Sequence, residues 1–158
     1  MGARTFPVPP DPAGDPAGGD CAVTEGDSER EVVRYWWEKA EGCLASAQRE
    51  LAAGALEFAA DRLYYALFYT VSAALAERGH SARRHSGIRA SFHREFIRTG
   101  LLPEELGRLY DHLFEDRQEG DYVVFVAFER SYLAVQLERC RLFLGELRPL
   151  VRALDDPA

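Results

Sequence analysis

The sequence predicts an all-α protein, a four- to five-helix bundle preceded by a disordered N-terminal tail. Three observations carry this. From Arg30 onward apolar residues recur at helical spacing, glycines separate the periodic stretches, and only one short run, Val123 to Val126, reads as β. The chain has 158 residues, 47% apolar and 28% charged, which is ordinary globular composition and enough for one domain with a real core.

Residues 1–29 form the predicted tail. They hold Pro7, Pro9, Pro10, Pro12 and Pro16 and few bulky apolar side chains. Such a segment cannot bury enough surface to offset its ordering entropy. Residues 30–154 form the predicted bundle. The first helix is expected over about Glu31–Ala53, with Val33, Trp36, Trp37, Ala40, Leu44, Ala47 and Leu51 on one side and Gly54 as its break. The second is expected over about Ala55–Arg78. Its stripe of Leu56, Ala60, Leu63, Leu67, Val71 and Ala74 is broadened by Tyr64, Tyr65, Phe68 and Tyr69, so it should be buried on most sides, ending at Gly79.

The third helix is expected over about Arg83–Arg98, with Ile88, Phe92 and Phe96 at i, i+4, i+8 and Gly100 at its end. Pro103 suits the first turn of the fourth, and Glu104 and Glu105 suit the positive end of its dipole. Leu106, Leu109, Tyr110, Leu113 and Phe114 form that helix's inner face, and Gly120 is its expected stop. Val123–Val126 has no strand partner and reads as the lead-in to the fifth helix. That helix should reach Leu147, or Leu154 if Pro149 only kinks it.

The formal charge is 19 − 26 = −7, so any nucleic-acid site must be a local patch rather than a property of the whole surface. Cys21, Cys43 and Cys140 are an odd, widely spaced set with no CxxC pair, which fits a reducing cytoplasm rather than a disulfide framework or cysteine zinc site. No apolar N-terminal segment reads as a signal peptide. The longest uncharged run, Leu63 to Ala76, is shorter than the ~20 residues a membrane span needs. A soluble cytoplasmic protein is expected. No phosphate-binding glycine loop, HExxH motif or nucleophile elbow is present, and the four scattered histidines do not form a metal-ligand pattern, so neither cofactor nor metal is expected.

Two constellations are candidates for chemistry. Residues 78–98 carry Arg78, Arg83, Arg84, Arg89, Arg94 and Arg98 against one acid, Glu95, together with His80, His85 and His93. Such a patch can hold phosphates; the competing reading is a solvated face paired with neighbouring acidic helices. On a helical wheel His85 falls with Phe92 and Phe96, toward the bundle, while Arg94 and Arg98 point away. That position suits either a structural histidine or a catalyst. The second constellation runs from Asp116 to Tyr122. Locally, Arg117 and Asp121 are i, i+4 and suited to pair. Functionally, Arg117 suits a phosphate clamp, with Tyr122 stacking on a base or hydrogen-bonding to the ligand.

Four stretches together resemble the HEPN domain family. They are Arg62–Tyr69, the basic loop with His85–Ser86–Gly87–Ile88, then Phe96–Leu102, and finally Arg117–Tyr122, in order over about residues 31–150. The resemblance implies an α-helical bundle of four or five helices, usually a homodimer. It implies one of three roles. The first is an RNA- or nucleotide-binding component of a toxin–antitoxin module with a minimal nucleotidyltransferase partner. The second is a metal-independent endoribonuclease toxin. The third is a catalytically silent dimeric scaffold or antitoxin.

The nuclease branch of that family carries Arg, four to six residues, then His. Here Arg117 is followed after four residues by Tyr122. A free tyrosine titrates near pH 10 and is a poor base at neutrality, and losing a general base costs ~10²–10⁴ in rate. The residues implied for catalysis are therefore Arg117 with Tyr122 or His85. Those implied for RNA or nucleotide binding are Arg117, Asp121, Arg84, Arg89 and Arg94. Tyr122 is also the position such a transferase would adenylylate.

Overall fold

The computed structural model describes residues 25–80, 85–122 and 127–155, except for the side chains of 85–86 and 119–122. Among the described residues every regular element is helical. They are α1 (Glu25–Ala52), α2 (Leu56–Glu77), α3 (His85–Phe92) running directly into a π-helical turn (His93–Ile97), α4 (Glu104–Tyr122) and α5 (Arg130–Leu147). Two 3₁₀ turns, Arg148–Leu150 and Arg152–Leu154, follow. The expected all-α bundle is what forms.

The α1–α2 hairpin is the most extensive packing in the fold, and α2 also touches α3, α4 and α5. Its sequence explains that central place, because nearly every residue from Ala59 to Leu75 is apolar or aromatic and all but Asp61 and Arg62 are buried. The two buried hydroxyls in its middle are satisfied within the helix: Thr70 Oγ1 donates to the Ala66 carbonyl at 2.7 Å and Ser72 Oγ to that of Phe68 at 2.8 Å. Around α2 lie Trp36 and Trp37 of α1, Phe92 and Phe96, Tyr110 and Leu113 of α4, and Leu133, Phe143 and Leu147 of α5.

Gly54 and Gly79 stop α1 and α2 as the sequence predicts. Each sits at positive φ (77° and 76°), the left-handed conformation that glycine adopts without a Cβ clash. At Gly79 the His80 N–H reaches the Leu75 carbonyl (2.9 Å) and the Gly79 N–H that of Ala76 (2.9 Å), a Schellman closure.

Several boundaries differ from expectation. Helix α1 begins at Glu25, so residues 25–29, read as tail, are helical; Glu25 and Asp27 lie in its first turn, where the dipole favours acids. Residues 1–24 lie outside the described residues. Gly120 does not stop α4, which continues to Tyr122. The Val123–Val126 run lies outside the described residues, and α5 begins only at Arg130. Pro149 ends α5 rather than kinking it, because Pro has no N–H to continue the ladder and the chain tightens into 3₁₀ turns.

The third helix is also not regular. At Phe92 it widens into the π turn, where the Arg98 N–H bonds to the His93 carbonyl at 2.8 Å. Phe92 and Phe96 both remain in the core. The wide turn seats His93 against Gly107 of α4, a contact that needs glycine: a Cβ there would lie 2.8 Å from His93 Cε1.

Candidate functional site

Arg117 sits on α4 five residues before its last residue, Tyr122, and leans on α2. Its Nε donates to Asp61 Oδ1 at 3.4 Å and an Nη to the Tyr65 hydroxyl at 3.1 Å. Asp61 and Tyr65 are i, i+4 on α2, so one helix face presents both partners. The guanidinium also lies 5.2 Å from the Tyr64 ring centroid and 5.1 Å from that of Tyr65. Both ion-pair side chains are largely covered, at 16% exposure for Arg117 and 17% for Asp61. A carboxylate and two ring faces thus orient the cation before any ligand arrives.

The aromatic rings continue away from Arg117. Tyr65 stacks on Tyr69 (5.8 Å), and Tyr69 stacks on Trp36 of α1 (5.4 Å). At the far end Lys39, the chain's sole lysine, holds its ammonium 5.0 Å from the Tyr35 ring and 5.3 Å from that of Tyr69. Burial pushes the Tyr69 phenol up to about 12. Burial likewise raises the Tyr64 phenol, partly offset by the Arg117 charge. Neither hydroxyl is a base at neutral pH. On the other side of Arg117, the Tyr132 hydroxyl of α5 donates to Asp116 Oδ2 at 2.6 Å.

The basic patch is divided by the fold. Arg89 turns inward to α4, with its guanidinium 3.9 Å from the Phe114 ring and Nη1 3.3 Å from Asp111 Oδ1. His93 Nε2 meets the same oxygen at 3.0 Å. Arg94 and Arg98 are exposed, as the helical wheel predicts, and Arg94 pairs with Glu95 (3.1 Å). That bond and the charges of His80, Arg94 and Arg78 hold the Glu95 carboxyl below its usual range. Arg89 and Arg94 are therefore each matched by an acid. The His93 pair reads as a clasp between the π turn and α4: its Nε2 is on Asp111 and its Nδ1 faces Gly107, leaving neither nitrogen aimed at a cleft.

Of the other sequence-predicted residues, Asp121 and Tyr122 form the last two positions of α4 and His85 the first of α3, with their side chains outside the described residues; Arg84 lies outside them altogether. Asp61 and Tyr65 were not among the predicted site residues, nor was the Tyr132–Asp116 pair. The one available signal was the acidic Asp61 at i−4 from Tyr65, at the edge of the long uncharged run of α2. Among the described residues no cluster of three or more His, Cys, Asp or Glu could hold a metal, and no helix is long and apolar enough to cross a membrane. Cys43 and Cys140 are free thiols, and burial raises both.

The HEPN domain model matches residues 33–149, nearly all of the bundle, and the chain belongs to the HEPN domain family. It is 38% identical over 128 residues to a UPF0332 protein of Thermotoga maritima, covering 81% of this chain and 97% of that one. It is also 30% identical over 111 residues to a Methanocaldococcus jannaschii protein named "Putative toxin MJ0142", covering 70% of this chain and 76% of the other. A second protein of that organism, "Putative toxin MJ0605", is 26% identical over 125 residues, 79% of this chain and 92% of its own length.

Proposed function

We propose that this HEPN protein is a toxin-like component of a two-gene module that binds RNA or a nucleotide at Arg117, acting as a homodimer with a minimal nucleotidyltransferase as partner in the cytoplasm. The observation that carries the reading is the held guanidinium of Arg117, fixed by Asp61 and Tyr65 against aromatic faces. A phosphate is recognised best by a cation already oriented, and here the buried Tyr64 and Tyr65 rings do the orienting. The two Methanocaldococcus jannaschii relatives whose names include the word toxin support the toxin-like part of this reading.

Among the described residues, no hydroxyl beside that arginine is suited to start cleavage. The described hydroxyls near it are phenols, and that of Tyr64 is raised by burial; neither supplies the general base that attack by a ribose 2′-OH requires near neutral pH. The test is a filter-binding titration of single-stranded RNA in EDTA, with cleavage products read from the same samples. Saturable, salt-sensitive binding without turnover, weakened about tenfold in Arg117→Met, is the expected result. Turnover lost with Arg117 would replace this reading with a metal-independent endoribonuclease. Neither binding nor turnover from a folded dimer would leave a silent scaffold.

A further inference from the structure

We propose that the cavity at the C-terminal end of α2 is a second binding site, for a small anion carried on an apolar body: a carboxylate or phosphate monoester with a short aliphatic or aromatic tail. The cavity measures about 320 Å³ and is lined by Glu77, Arg78, Phe96, Leu101, Pro149, Leu150 and Arg152. That volume lies at the lower end of small-molecule sites. Asp61 and Glu77 are 16 residues apart on α2, so at 1.5 Å per residue the cavity lies about 24 Å from the Arg117 site. The two sites are independent, and this inference does not rest on the RNA reading.

Three elements build the cavity, and each is fastened. The C-terminal 3₁₀ segment lies across the end of the bundle, pinned at Ala153. There the backbone N–H donates to Glu77 Oε2 at 3.1 Å, and the carbonyl accepts from Arg34 Nε at 2.9 Å. The Glu77 carboxylate is thus already engaged by backbone. The π turn supplies the second wall. There the Glu95 carbonyl accepts from Arg78 Nη1 (3.1 Å) and Thr99 Oγ1 (2.9 Å). The Arg78 guanidinium lies 4.9 Å from the Phe96 ring, so it is oriented in advance with most of its five donors unused by that bond.

The cavity's chemistry selects its ligand. Two guanidiniums outnumber the one lining carboxylate. The Arg152 guanidinium makes no hydrogen bond or ion pair with the described residues, so its charge is available to a ligand. The rest of the lining is apolar, and Leu101 stands 46% exposed at it, a large aliphatic surface that a ligand's tail would cover. Inorganic phosphate would leave that surface wet, and a neutral alkane would leave the guanidiniums unanswered. An anion with an apolar tail answers both.

The test is a titration of the full-length ¹⁵N-labelled protein with hexyl phosphate and with hexanoate, followed by amide chemical shifts, with inorganic phosphate and 1-hexanol in parallel. Saturable shifts confined to residues 77–79, 96–102 and 149–153 are expected from at least one of the two amphiphilic anions, with inorganic phosphate and hexanol at least about tenfold weaker. Arg78→Met also removes a partner of the Glu95 carbonyl, so Arg152→Met is the deciding variant; it should weaken binding about tenfold at unchanged Tm. Arg117→Met should leave the titration as it was. The proposal is overturned if neither anion saturates by about 10 mM, if inorganic phosphate binds as tightly as hexyl phosphate, or if Arg152→Met binds like the native chain.

Discussion

Replacing Asp61 by Asn isolates what holds Arg117 in place. The substitution keeps the shape of the side chain and removes its charge. At the observed 3.4 Å between Nε and Oδ1, the gross attraction in an effective dielectric near 20 is about 5 kcal/mol. Desolvation of two largely covered groups cancels much of that. The Tyr65 hydroxyl and the two ring faces remain to the guanidinium after the change. The expected net loss is therefore about 1.5–3 kcal/mol.

Urea unfolding at pH 7 measures it, and a double-mutant cycle with Arg117→Met separates the pair from each residue's own packing. A coupling of about 1–2 kcal/mol is expected. The same variant should weaken RNA binding several-fold, because the cation is then less constrained. A coupling near zero, or RNA affinity unchanged in Asp61→Asn, would refute the claim that Asp61 orients Arg117.

Three further outcomes follow from the packing and the buried acids. Phe143→Ala should cost about 3–5 kcal/mol by urea unfolding, since the ring is fully buried and packs on Phe92. Gly107→Ala should lose about 1 kcal/mol despite alanine's better helix propensity, because the new methyl meets the His93 ring; His93→Ala in the same chain should recover the loss.

Stability should also fall as pH rises above about 9–10. Burial raises the Cys140 thiol above its ordinary 9.0 and the Tyr64, Tyr69 and Tyr110 phenols above 10.0, so in that range the unfolded chain releases protons that the folded one retains. Equal denaturation midpoints at pH 7.5 and pH 10.5 would contradict this.

What the sequence made legible was local. Amphipathic periodicity located the five α-helices of the described residues, and the aromatic broadening of α2 correctly implied burial on most sides. Gly54 and Gly79 were readable because a helix end needs a left-handed residue there. Gly120 was not, since a glycine inside a helix costs only about 1 kcal/mol and looks the same on the page as a stop. The π turn left no signature in the residue pattern.

At the candidate site, Arg117 was picked from its neighbours, but its partners were not. The sequence offered Asp121 at i+4, whereas the described partners, Asp61 and Tyr65, stand 56 and 52 residues away and meet it only through the packing of α4 on α2. Arg89 shows the same limit. Its partner Asp111, 22 residues on, was not legible in the sequence and links Arg89 to α4.

The central claim is that RNA or nucleotide is held at Arg117, and site-resolved cross-linking tests it most directly. A 4-thiouridine-labelled single-stranded RNA, irradiated with the native protein and mapped by mass spectrometry, should cross-link at the exposed Arg62 beside Asp61 on α2 and in the α4 peptide containing Arg117. Those adducts should fall about tenfold in Arg117→Met. Cross-links confined to other faces of the bundle, or adducts at these peptides that persist unchanged in Arg117→Met, would contradict the account.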